Sequence, residues 1–168
     1  MTRQTQTSQM EIGESPIASI QFNLKSRDDI PKILRGLQYI YVTPSLREPV
    51  FSLLEKRVLP NVDKDNGRPG MALWKLLVMG VLRLDLNCDY DRLHELVNHH
   101  DTVRQMLGHG DFFDKTPYSL QAIKDNVRLL TPELLEEVNQ LIVSAGHALV
   151  IKKKRKRTAA WAVRLLCS

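Results

Sequence analysis

Gln121, Lys124, Asp125 and Arg128 fall at i, i+3, i+4 and i+7 within the stretch YSLQAIKDNVRLL (118–130). That spacing puts all four on one stripe of an α-helix. Gln, Lys and Arg side chains pair with adenine or guanine edges in a DNA groove, or with phosphate. The same stripe also reads as an ordinary solvated helix face, and the pattern alone leaves both readings standing. A second concentration of charge is the run Lys152, Lys153, Lys154, Arg155, Lys156 and Arg157. Six adjacent cations attract a polyanion, and neutralising about six phosphates gives a salt slope near −5.

Other chemistries find less support in the residues. Cys88, His94, His99, His100 and His109 resemble a metal cluster at first sight. Their spacings are irregular, with no CxxC or HExxH pair, so they are expected on helix surfaces and ends. NGRPG (66–70) lacks the Lys-Ser/Thr that completes a phosphate-binding loop, and no strand precedes it. No serine sits in a nucleophile-elbow pattern. Nothing in the order of the 19 carboxylates makes them converge on a pair of metal ions. No catalytic residue, metal or cofactor is therefore expected.

The net charge of +5 is unevenly spread. Lys152 to Arg157 and Arg164 supply seven of the 24 basic residues, leaving 17 against all 19 acidic ones, so residues 1–151 carry −2. DNA binding by the body must then rest on a local face rather than on bulk charge. Two distant cysteines, Cys88 and Cys167, form no disulfide framework and point to a reducing, cytoplasmic setting. Residues 1–15 lack the apolar core of a secretory signal. MALWKLLVMGVLRLDL (71–86) is broken by Lys75, Arg83 and Asp85 and is shorter than a bilayer span, so it reads as a buried helix.

The elements that must position these residues are helical. Residues 1–15 read as a disordered N-terminus, and IASIQFN (17–23) as a short strand or extended arm. Asp28 or Asp29 caps a helix with Pro31 in its first turn and Ile30, Ile33, Leu34, Leu37 and Ile40 or Tyr41 on one side. Thr43-Pro44 opens the next, which ends near Leu59-Pro60; Pro49 predicts that its regular part begins only near Glu48. After a loop over 61–70 come the apolar helix 71–86 and a helix from Asp89 to Asn98. A short helix capped by Asp101 and closed by Gly108 follows, then helix 118–130 opened by Thr116-Pro117 and a last helix opened by Thr131-Pro132. In that last helix Leu134, Val138, Leu141, Ala145 and Ala148 form a heptad seam of little more than two heptads. Such a seam packs on its own domain or pairs two chains. The fold class is all-α, a multi-helix bundle with helix-turn-helix-like elements, a disordered N-terminus and a basic C-terminal tail.

The stretch from Gly67-Arg68-Pro69 through the apolar helix with Trp74, Asp89-Tyr90-Asp91-Arg92-Leu93 and Met106-Leu107-Gly108, followed by TPYSLQAIKDNVRLL (116–130), resembles the N-terminal helical region of bacterial insertion-sequence DDE transposases, the ISNCY-like group. The likeness spans residues 17–154. It implies a module that binds double-stranded DNA at the element's terminal repeats and helps to assemble the transposase there. Arg68, Lys75 and Arg83 then become candidate backbone contacts, and Gln121, Lys124 and Arg128 candidate groove contacts. A homodimer, or association with full-length transposase, is the implied partnership. The pair 71–86 and 89–98 has the short turn of a helix-turn-helix, but Asp89, Asp91 and Glu95 repel phosphate, which makes it scaffold. Helix 118–130 has the better chemistry, behind a loop longer than that motif uses.

The resemblance predicts a catalytic RNase H-like domain after the basic run. RTAAWAVRLLCS (157–168) instead contains no Asp or Glu, so none of the catalytic triad carries over. The expected organisation is a disordered N-terminus (1–15), a helical DNA-binding and assembly domain (16–151), and a basic junction with an aberrant tail (152–168). On this reading the chain is a truncated transposase without strand-transfer activity. The alternative is a protein-interaction remnant or relic that holds DNA only through its tail.

Overall fold

The computed structural model describes residues 16–59, 71–110 and 116–145, and these form helices with no strand among them. The all-α expectation holds. Arg68, the 61–70 loop, residues 1–15, Lys152 to Arg157 and the tail beyond lie outside the described residues, as does Ala148 of the heptad seam.

Helix α1 (Ile30–Val42) turns Ile30, Leu34, Leu37 and Ile40 inward. Asp28 does the capping, accepting from the Ile30 amide at 3.0 Å, while Asp29 pairs with Lys32 at 2.9 Å. Gln38 lies among the apolar side chains of α1, only 2% exposed. Its amide group donates to the carbonyls of Ile17 (2.8 Å) and Ile20 (3.0 Å), and Arg35 donates to its side-chain oxygen. Of the two readings of 17–23, strand or extended arm, the strand is not found: Ile17–Ser19 form a 3-10 turn, and Ile20 after it is extended. With no strand beside it, its carbonyls are satisfied by a side chain instead of a ladder.

Helix α2 (Pro44–Val58) runs straight through Pro49, against the expectation of a start near Glu48. The amide that proline lacks would have met the carbonyl of Ser45. Ser45 and Pro49 are both exposed, so the missing bond falls on the solvent side, where it costs least. Leu46, Val50, Leu54 and Val58, each four residues apart, bury the opposite side.

Helix α3 (Leu73–Asp85) is the central element, with Trp74, Leu76, Leu77, Val78, Met79 and Leu82 buried. It ends with Asn87 in the left-handed region (φ 46°). The amides of Asn87 and Cys88 close back on the carbonyls of Leu84 and Arg83, both at 3.1 Å, a Schellman ending. Asp89 then caps α4 (Tyr90–His99) by accepting from the Arg92 amide at 2.8 Å. His100 ends α4 and starts α5 (Asp101–Met106), with its ring nitrogen facing the Val103 amide. The predicted cap Asp101 is instead the first helical residue. Gly108 (φ 91°) gives α5 the same Schellman ending, and His109 supplies the closing amide to Arg104.

Helix α6 (Leu120–Val127) is shorter than the predicted 118–130, because Ser119 caps it at 3.1 Å and the chain turns at Arg128. Ile123, Val127 and Leu130 are buried. Helix α7 (132–145) is capped by Thr131, whose hydroxyl accepts from the Leu134 amide at 3.3 Å. Leu134 and Val138 of the heptad seam are buried in the domain core and Leu141 and Ala145 are half-buried, so the first half of the seam serves this fold.

Two positions carry stability predictions. A Cβ on Gly80 would lie 2.5 Å from Leu130 Cδ1, so α3 and the turn after α6 touch without a side chain between them. Gly80→Ala gains about 1 kcal/mol of helix propensity against a similar cost of displacing Leu130, and should be near neutral. Gly80→Val adds branching that Leu130 cannot evade, and denaturant unfolding should show a loss of about 1–3 kcal/mol. Asp85 closes α3 at the negative end of the helix dipole. Burial pushes its carboxyl above the ordinary range. Its protonated form suits the folded state better, so its penalty grows as pH rises from the ordinary carboxylate range through the raised folded value. Asp85→Asn should raise Tm at pH 7, with the difference closing as pH falls below 4.

Candidate nucleic-acid interface

Helix α6 is held at its entrance by a knot of polar side chains from three other segments. Asn98, on α4, accepts from the Tyr118 amide at 2.8 Å and donates to the Tyr118 carbonyl at 3.0 Å. The same amide group donates to the His94 carbonyl at 3.0 Å, which fixes the Asn98 rotamer. Arg104, on α5, reaches the carbonyls of Val97 and Thr116 at 3.4 Å. His109 Nε2 and the Tyr118 hydroxyl share a hydrogen bond of 2.6 Å, with the rings edge to face. Lys75 Nζ stands 5.8 Å from the centroid of the Tyr118 ring. Two residues beyond Tyr118, α6 begins.

Its outward side carries the predicted stripe. Gln121 and Arg128 are exposed, and Lys124 and Asp125 are half-buried. Asp125 Oδ1 accepts from the Gln121 amide at 2.9 Å and lies 3.7 Å from the Arg128 guanidinium. One carboxylate thus orders both neighbours. It also occupies one of the two Gln121 side-chain N–H donors and offsets one of the two cations. Gln121 Oε1, the Lys124 ammonium and the rest of the Arg128 guanidinium remain to meet a ligand.

The two candidate backbone contacts on α3 stand elsewhere. Lys75 belongs to the knot beneath the start of α6. Arg83, eight residues along α3, lays its guanidinium 4.3 Å over the Tyr90 ring, and its Nε is buried without a hydrogen-bond partner. Lys75 is therefore beside the α6 stripe's supporting segment, whereas Arg83 packs at the α3–α4 corner. Asp91 and Glu95 on α4 are exposed, which keeps that helix acidic outward.

Asn98, Arg104, His109 and Tyr118 were not singled out as a unit by the sequence. The usable signal was the Gly108 turn, which throws His109 back toward the next segment. No set of three or more His, Cys, Asp or Glu converges as a metal site among the described residues. Burial pushes the Cys88 thiol up, away from thiolate chemistry. No helix among the described residues is long and apolar enough to cross a membrane. Comparison of the chain with protein-family models, curated proteins and solved structures finds no match.

Proposed function

We propose that the helical module binds double-stranded DNA at the ends of an insertion element, with α6 as the reading helix and no strand-transfer chemistry of its own. The observation that carries this reading is the outward stripe of exposed Gln121 and half-buried Lys124 on α6, continued by exposed Arg128 at its C-terminal cap, on a helix whose entrance is pinned by Asn98. Groove readout needs side chains held on a rigid element, and the Asn98 bridge supplies that rigidity. The transposase likeness of residues 17–154 supplies the identity of the DNA. Lys152 to Arg157 add non-specific attraction to phosphate. The seam of α7 beyond Val138 offers a surface for a homodimer or for full-length transposase.

The role of Asp125 favours a second reading, in which the module binds protein and only the tail holds DNA. A carboxylate central to the stripe repels phosphate. Under the first reading, Asp125→Asn frees Gln121 and Arg128 and should tighten DNA binding up to about fivefold, the worth of one exposed charge. Under the second it changes nothing. A gel shift at two salt concentrations, with the full chain and with residues 1–151, separates the two. Binding to element ends that survives removal of 152–168 supports the α6 reading, and binding that vanishes overturns it.

A further inference from the structure

Helices α1, α3 and α7 do not close over one another. They leave a groove of about 570 Å³ walled by Ile33, Leu37, Leu77, Val81, Leu135 and Ile142. Tyr39 and Leu84 stand at its edges, 53% and 52% exposed. Gly36 opens it further, since a Cβ there would meet nothing within 4 Å. Lys32, Asp85 and Glu136 lie on the rim; Lys32 is paired with Asp29 at 2.9 Å, and Asp85 has no ion pair among the described residues. Apolar walls beside an uncompensated carboxylate call for an apolar occupant that carries a cation.

A second copy of α7 meets that description poorly. Residues 132–145 contain Glu133, Glu136 and Glu137 and no Lys or Arg, so two such helices would set acid against acid. The chain's own AAWAVRLL (159–166) meets it well: seven apolar residues and one cation, Arg164, just after the basic run. Reach is ample. About 14 residues separate Ala145 from Ala159, spanning up to roughly 45 Å extended, against about 15 Å of groove along α7 from Pro132 to Ile142.

We propose that the groove between α1, α3 and α7 seats the chain's own Ala159–Leu166 stretch, with Trp161 and the two leucines against its walls and Arg164 at the Asp85–Glu136 rim. Trp161 reports on the seat, because the other tryptophan, Trp74, is only 4% exposed. Acrylamide quenching of the full chain, with Trp161→Phe to subtract Trp74, gives the Trp161 signal. It should be quenched severalfold less than Trp161 in the free peptide 157–168. Gly36→Leu fills the groove from an exposed helix position and should restore peptide-like quenching with the Trp74 emission unmoved. Arg164→Glu should do the same in part. Peptide-like quenching in the parent chain overturns the proposal, as does shielding indifferent to Gly36→Leu. Shielding that grows with protein concentration also overturns it, by assigning the seat to another copy.

Discussion

Trp74→Ala should lower the stability of the chain by about 3–5 kcal/mol, a Tm loss of roughly 10 °C or more for a domain of this size. Trp74 sits where four helices meet. Its ring lies 4.7 Å from Tyr41 of α1 and stacks 6.3 Å from Phe51 of α2. Arg47 covers both partners, 4.6 Å over Tyr41 and 5.8 Å over Phe51. The indole N–H donates to the Met106 carbonyl at 2.8 Å. That carbonyl ends α5 and has no partner in the Schellman turn, so Trp74 satisfies a group the helix itself cannot. Trp74→Phe keeps most of the ring contact and orphans the carbonyl, for a smaller loss of about 1–3 kcal/mol. Urea unfolding of the two variants checks both numbers, and a loss below 1 kcal/mol for Trp74→Ala would remove Trp74 as the keystone.

Replacing Lys152 to Arg157 with glutamine should flatten the salt dependence of DNA binding. If all six cations meet phosphate, the slope of log K against log salt falls in magnitude by about 5. The parent chain should then lose about a thousandfold in tail-derived affinity between 50 and 200 mM salt. Fluorescence anisotropy across that range reads the slope directly. Residues 1–151 carry −2 overall, so little general attraction remains once the run is neutral. Whatever binding persists must come from a local face, and α6 is the face proposed.

Three helix starts were legible because they are written in short-range chemistry, while the caps of α5 and α6 proved to be His100 and Ser119. Thr43-Pro44, Asp89 and Thr131-Pro132 begin helices where their types say they should, and Gly108 ends one. Pro49 misled because a proline's cost depends on which side of the helix loses its bond, and burial is a tertiary fact. The end of α6 misled for a similar reason: Val127 and Leu130 continue the periodic stripe, yet the chain turns at Arg128 to bring Leu130 against Gly80. At the candidate interface, the stripe was legible as spacing, and the tie of Asp125 to Gln121 follows from i, i+4 geometry. Asn98 gripping Tyr118 was not, since that pairing spans 20 residues and depends on how α4 and α6 meet.

The most direct test is the discrimination of residues 1–151 between a duplex carrying the neighbouring element's terminal repeat and a shuffled duplex of equal length. Binding to the repeat should be tighter, by about tenfold or more, with the ratio collapsing in Gln121→Ala and Arg128→Ala while circular dichroism stays unchanged. Equal binding to the two duplexes, or a preference untouched by both substitutions, would contradict the proposed role of α6.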